Sequence, residues 1–132
     1  MQKNPVYEDV VEEIKQFFKT KTDHLIRSGV KSVMIDPGIG FGKTLEHNLK
    51  LINNLYAFSN LGYPILVGAS RKSMIGQILN NRDVDDRLAG TIALHYQCII
   101  NGAKILRVHD VREANDSIKI YCALKKSGNY LG

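Results

Sequence analysis

The sequence predicts a parallel α/β fold, and three observations predict it. Three short apolar runs, Val33-Met34-Ile35, Ile65-Leu66-Val67 and Ile105-Leu106, each pass straight into a cluster of charged residues. Between them lie stretches with apolar residues at helical spacing. The loops are short, as right-handed crossovers between parallel neighbours require. Three such strands can begin a doubly wound sheet or form part of a (β/α)8 barrel. A complete barrel needs roughly 200 residues or more, and the chain has 132.

Each element follows from its own pattern. Val10, Ile14, Phe17, Phe18 and Leu25 form an approximate helical stripe from Tyr7 to Ser28, which Gly29 is placed to end. Val30 to Ile35 reads as a strand covered on both faces. Leu45, Leu49, Ile52, Leu55, Tyr56 and Phe58 mark a second helix ending near Asn60 and Gly62, and Pro64 to Val67 the second strand. A short helix over Lys72 to Leu79 leads to a polar loop, Asn80-Asn81-Arg82. Asp83 is placed to cap a helix carrying Leu88, Ile92, Leu94, His95, Ile99 and Ile100, and Asn101-Gly102 to stop it. Lys104 to Val108 is the third strand. Asp110 and Glu113 then read as an aspartate version of the capping box, opening a helix with Ala114, Ile118, Tyr121, Cys122 and Leu124 that finishes before Gly128. Asn129 to Gly132 reads as a frayed tail.

Composition narrows the function. With 44% hydrophobic and 23% charged residues the chain is ordinary for a globular domain. No apolar run approaches the ~18 to 20 residues that span a bilayer. Met1-Gln2-Lys3-Asn4-Pro5 leads into a charged amphipathic stretch and not a signal peptide, so a cytoplasmic location without a membrane partner is expected. Cys98 and Cys122 fall on apolar helix faces without metal-ligand spacing and are expected to be reduced packing residues. The net charge of +5 is scattered, with no arginine-rich run and no aromatic-interleaved basic motif, so an anionic small molecule is expected and nucleic acid is not. No Ser-His-Asp order, H-E-x-x-H or C-x-x-C supports a hydrolase triad or zinc site. His24, His47 and His95 read as surface or packing residues.

The strand exits carry the chemistry. Asp36 is held by the stiff turn Pro37-Gly38, where its carboxylate can accept two hydrogen bonds from a flat N–H/NH2 edge or merely satisfy loop N–H groups. Gly38, Gly40 and Gly42 allow close backbone approach but do not make the dinucleotide fingerprint. Phe41 reads as a hinge plug or as an aromatic wall for a ligand ring, and Lys43 as solvent-facing. Lys72, in Ser70-Arg71-Lys72-Ser73, can donate to a carbonyl or ring nitrogen, and its positive cluster at a helix start invites an anion. Arg107 and His109 alternate with Val108, so an extended strand turns both to one face as an anion clamp. The alternative for Arg107 is an ion pair with Asp110 or Asp36.

D-P-G-I-G-F-G-K, V-G-A-S-R-K-S-M-I-G and G-A-x-I-x-R-V-H-D, in that order, resemble the carboxyl-terminal part of bacterial dihydropteroate synthase, the folate-pathway enzyme inhibited by sulfonamides. The resemblance runs over essentially all of the chain. It implies a single domain over 1–132, a partial pterin-binding (β/α)8 TIM barrel holding roughly strands six to eight. The family joins 6-hydroxymethyl-7,8-dihydropterin diphosphate to 4-aminobenzoate and releases pyrophosphate. By resemblance Asp36, Lys72 and Arg107 bind the pterin, and Arg107 and His109 the diphosphate. Phe41 and Ser73 match positions near the aminobenzoate, and Lys72, Arg107 and His109 carry the catalytic work. Mg2+ is expected on the substrate diphosphate, with no metal ligand in this chain.

The same resemblance places the family's first two substrate loops and its earlier pterin-binding aspartate and asparagine before Met1. Catalysis by this chain alone is therefore not expected. The competing reading is a catalytically inactive fragment or pterin/pyrophosphate-binding module. A pterin-binding barrel of corrinoid methyltransferases is a third, against which Ser70-Arg71-Lys72 argues. A homodimer is expected through the late barrel helices, near Leu45 to Asn60, Asp86 to Asn101 and Val111 to Leu124.

Overall fold

Five α-helices and two strands, in the order α-α-β-α-α-β-α, span residues 8–128, the part of the chain that the computed structural model describes. Met1 to Pro5 and the expected tail, Asn129 to Gly132, lie outside them. The first helix, α1 (Val10–Arg27), starts at Asp9, whose side chain accepts from the Glu12 N–H at 3.1 Å. It ends in a Schellman motif: Gly29 N–H donates to the Ile26 carbonyl and Val30 N–H to that of Leu25, both at 3.1 Å. Val10 and Phe18 are buried on its inner face with Thr22, whereas Phe17 and Leu25, expected in the stripe, are exposed.

The expected strand Val30 to Ile35 shrinks to its last residue. Ile35 alone bridges to Ile65 in parallel, donating to the Pro64 carbonyl at 2.9 Å and accepting from Leu66 N–H at 2.8 Å. Val30 and Met34 are exposed, so this run is not covered on both faces. Apolarity alone does not make a strand; the backbone needs a neighbour within ladder reach. The second helix also divides, into α2 (Leu45–Asn53) and a 3-10 stretch over Leu55–Leu61. Thr44 and His47 cap α2 reciprocally, so His47 is a capping residue.

Strand β1 (Ile65–Val67) pairs in parallel with β2 (Ala103–Leu106), through Ile65 with Ala103, Leu66 with Ile105 and Val67 with Leu106. The third expected strand thus ends before Arg107, although Arg107 N–H still donates to the Val67 carbonyl at 2.9 Å. Helix α3 (Ser73–Ile78) follows β1. Asp83 gives α4 (Leu88–Ile100) no side-chain cap; it opens a 3-10 turn over Val84–Asp86 instead. The capping box expected before α5 (Val111–Gly128) gives way too, because the Asp110 carboxylate is engaged by Arg71.

One core joins these pieces. Phe18 of α1 meets Phe58 edge-on at 5.7 Å, and Leu51, Leu55, Ile65, Val67 and Cys98 close around them. Burial pushes the Cys98 thiol up to about 12, which leaves it an inert packing residue. Cys122 is exposed, contrary to expectation, in an open cleft that it lines with Ile99 of α4 and Leu106 of β2. No described helix is long and apolar enough to cross a membrane.

Candidate active site

The carboxyl ends of Ile35, β1 and β2 lie side by side, and each delivers a charged residue there. Asp36 accepts from the Gly38 N–H at 2.8 Å, a short turn that uses one oxygen and leaves the exposed carboxylate with free acceptor capacity. The loop behind it is braced twice. Buried Asn48 accepts from Gly40 N–H at 2.8 Å. Lys43, expected in solvent, folds back and donates to the carbonyls of Gly38 at 2.9 Å and Phe41 at 3.1 Å. Burial therefore lowers its pKa, against the pull of Asp36.

Lys72 is where the three exits converge. Its ammonium stands 3.6 Å above the half-exposed Phe41 ring, a cation–π contact. Partial burial and then the Arg107 guanidinium hold the Lys72 pKa below the usual lysine value, while Asp36 opposes them. Lys72 is thus within electrostatic reach of both groups. Two glycines make the approach possible. A Cβ on Gly40, at φ +89°, would fall 2.9 Å from Lys72 Cδ, and one on Gly68 would fall 3.0 Å from an Arg107 nitrogen.

Arg107 and His109 are exposed while Val108 is half-buried, the alternation expected of them. Arg107 has no ion pair among the described residues, so neither expected partner holds it. Asp110 instead takes Arg71 through a two-pronged contact, at 2.9 and 3.3 Å, which also raises the Arg71 pKa. His109 is tied to buried Ser70, with Nδ1 2.8 Å from Oγ and its backbone N–H donating to the same oxygen at 3.3 Å. Ser73 is exposed at the start of α3. That helix has six residues, too few for its dipole to be the anion site, so the positive charge comes from side chains.

An open cleft of about 500 Å³ runs between α1 and the 36–43 loop, lined by Asp36, Phe41 and Lys43 with Phe17 and Phe18. A second cleft, of about 280 Å³, lies between α3 and α4 and is apolar; none of the charged site residues lines it. Among the described residues no group of three His, Cys, Asp or Glu is arranged to hold a metal ion.

A family model described as a pterin binding enzyme matches residues 1–109. The chain belongs to the pterin-binding enzyme family. Among its relatives, dihydropteroate synthase from Haemophilus influenzae is 44% identical over 125 residues, covering 93% of this chain and 45% of that protein. The structure is similar to dihydropteroate synthase from Stenotrophomonas maltophilia, solved with imidazole in its active site, at a TM-score of 0.91 and 37% identity over 95% of this chain and 48% of the other. It is also similar to the Thermus thermophilus enzyme in complex with 6HMPPP, at 0.88 and 41%, over 94% and 50%. The chain spans about half the length of the relatives it matches, and its α/β fold matches theirs over that span.

Sequence reasoning gave no role to Asn48, Ser70 or Thr91, and read His95 only as a surface or packing residue. All are buried. For Asn48, Thr91 and His95 the signal was a polar side chain at a helix position that turns inward; Ser70, in the turn after β1, gave none. His95, on α4, accepts from the Ala69 N–H through Nε2 at 3.0 Å.

Burial lowers the His95 pKa to about 4, from 6.5. The folded protein thus keeps this ring neutral where the unfolded chain takes up a proton. Its stabilising contribution is complete above pH ~6.5 and is lost as pH falls toward the folded-state value, about 3 kcal/mol in all. The titratable groups facing its crevice are Asp110 and Glu113. Urea unfolding at pH 7 and pH 4.5 should show a drop that His95→Gln largely removes; an equal drop in the variant would refute the assignment.

Proposed function

We propose that this chain forms the pterin- and diphosphate-gripping part of a dihydropteroate synthase site, as a single partial barrel domain over 1–132 corresponding to roughly strands six to eight. The observation that carries the reading is Lys72, set 3.6 Å over the Phe41 ring and under the charges of both Arg107 and Asp36, with Asp36 and Phe41 lining one cleft. The Asp36 carboxylate accepts from the amino-pyrimidinone edge of the pterin. Lys72 donates to its carbonyl and ring nitrogen, and Arg107 lies flat on the ring while reaching the diphosphate with His109. Phe41 and Ser73 border the aminobenzoate.

The reaction asks mainly for electrostatic help. The methylene C–O bond breaks, its electron pair leaves with pyrophosphate, and the neutral amine of 4-aminobenzoate forms the new C–N bond and releases a proton. Negative charge grows where Arg107 and His109 stand. Mg2+, on this reading, rides on the diphosphate, and the chain supplies it no ligand. A cytoplasmic setting accords with the free thiols.

The site's remaining groups, by resemblance, lie outside these 132 residues, so the chain alone is expected to bind and not to turn over. Calorimetric titration with 6-hydroxymethyl-7,8-dihydropterin diphosphate should give saturable one-to-one heat, with no dihydropteroate formed on adding 4-aminobenzoate. No saturable heat would sink the binding claim, and product from the isolated chain would sink the claim of dependence.

Assembly through the late helices is part of the same reading. Val111, Ile120 and Leu124 on α5 and Ile100 on α4 are all more than half exposed, which is costly for a monomer. Sedimentation velocity should show a dimer or larger species; a stable monomer at high concentration would contradict it.

A further inference from the structure

Arg87, Thr91 and His95 stand four residues apart, at the start of α4 and along one face of it, and all three grip the same short loop. His95 Nε2 accepts from the Ala69 N–H at 3.0 Å, and Thr91 Oγ1 accepts from the Arg71 N–H at 3.0 Å. The Arg87 guanidinium donates to the Arg71 carbonyl at 2.9 Å. Arg71 is held at φ +58°, a left-handed conformation that a residue with a Cβ adopts at a cost. The Arg71 side chain is tied down separately by Asp110. Immediately beyond this loop the chain delivers Lys72 to the Phe41 ring, and within it Ser70 holds His109.

We propose that Thr91 and His95 are positioning residues, a two-toothed latch on α4 that holds the Ala69–Arg71 backbone so that Lys72 and His109 point into the ligand site. The latch rests on the proposed function only in the identity of the ligand. Three features point to it. Thr91 and His95 are 4% and 2% exposed, and a polar group so buried is retained at a cost unless its hydrogen bond matters. Acceptors one helical turn apart meet alternate N–H groups of the loop, Ala69 and Arg71, so a rigid helix sets the spacing of a strained turn. Burial keeps the His95 ring neutral near pH 7, with Nε2 as the acceptor and the proton assigned to Nδ1, which is buried and has no hydrogen-bond partner among the described residues.

The test compares the full chain with Thr91→Val, which keeps the volume and loses the acceptor, with His95→Leu, and with His95→Gln, whose amide oxygen can replace Nε2. Lys72 supplies a local reporter: its side-chain methylene protons, over the Phe41 ring, should resonate upfield in the wild type. In Thr91→Val and His95→Leu that shift should collapse, the Ala69 and Arg71 amides should exchange faster, and affinity for the pterin diphosphate should fall about fivefold to tenfold per tooth, as for a hydrogen bond of ordinary strength. His95→Gln should retain most of the shift and affinity. Folded Thr91→Val protein with an unmoved Lys72 resonance and unchanged affinity would overturn the latch, and that variant serves even if His95→Leu does not fold. A wild type that binds no pterin diphosphate would overturn the functional reading instead, and the Lys72 resonance would then decide the latch by itself.

Discussion

Asp36→Asn is expected to weaken binding of 6-hydroxymethyl-7,8-dihydropterin diphosphate about a hundredfold, with little change in stability. An aspartate at this position can offer two charged acceptors to the N–H/NH2 edge of the ring. Hydrogen bonds to a charged group are each worth ~1.5 to 3 kcal/mol. Asparagine keeps one oxygen, which can still accept from Gly38 N–H as Asp36 does at 2.8 Å. Its amide nitrogen, however, turns a donor toward the donors of the ligand. The local turn therefore survives while recognition fails, and unfolding midpoints should agree within about 0.5 kcal/mol, as for an exposed site. Calorimetry and urea unfolding on both proteins check the two halves. Equal affinities would remove Asp36 from the site.

Phe58→Ala is expected to destabilise the chain by about 3 to 5 kcal/mol, the range for emptying a fully buried aromatic site. Phe58 is 0% exposed and packs edge-on against Phe18. Loss of that ring leaves a cavity between α1 and the 3-10 stretch that follows α2, a place fixed from both sides and slow to collapse. Against a total stability of ~5 to 15 kcal/mol this is a large fraction. Denaturant unfolding monitored by circular dichroism reads it directly; a shift under about 1 kcal/mol would mean that the core relaxes around the gap. Together the two substitutions separate the site from the scaffold, since Asp36→Asn removes binding at constant stability and Phe58→Ala removes stability without touching a ligand-facing group.

How much of this was legible beforehand varied with the physics involved. Helices α1 and α4 were read from side-chain periodicity because a buried face leaves a periodic trace, and strand β1 from a short continuous apolar run. The apolar run Val30 to Ile35 misled in the same way that Ile65 to Val67 informed. Strand formation depends on a neighbour for each backbone group, and only Ile35 has one. Asp83 and Asp110 looked like helix caps, but Asp110 is claimed by Arg71, 39 residues away in the chain. A short-range capping rule has no knowledge of such a partner. Lys43 read as solvent-facing for the same reason, because the carbonyls it satisfies become available only once the glycine loop closes.

The sequence by itself determined which residues arrive at the strand exits, Asp36, Lys72, Arg107 and His109, and the motifs in which they stand, because those facts are local and survive in the order of the letters. Only the tertiary structure decided how they are held: Lys72 over Phe41, His109 against Ser70, Arg71 diverted to Asp110, and the loop between them gripped by Thr91 and His95. These are contacts between distant segments. Each requires a buried or strained backbone to be satisfied from across the fold, and the chain's linear order carries no direct record of that geometry.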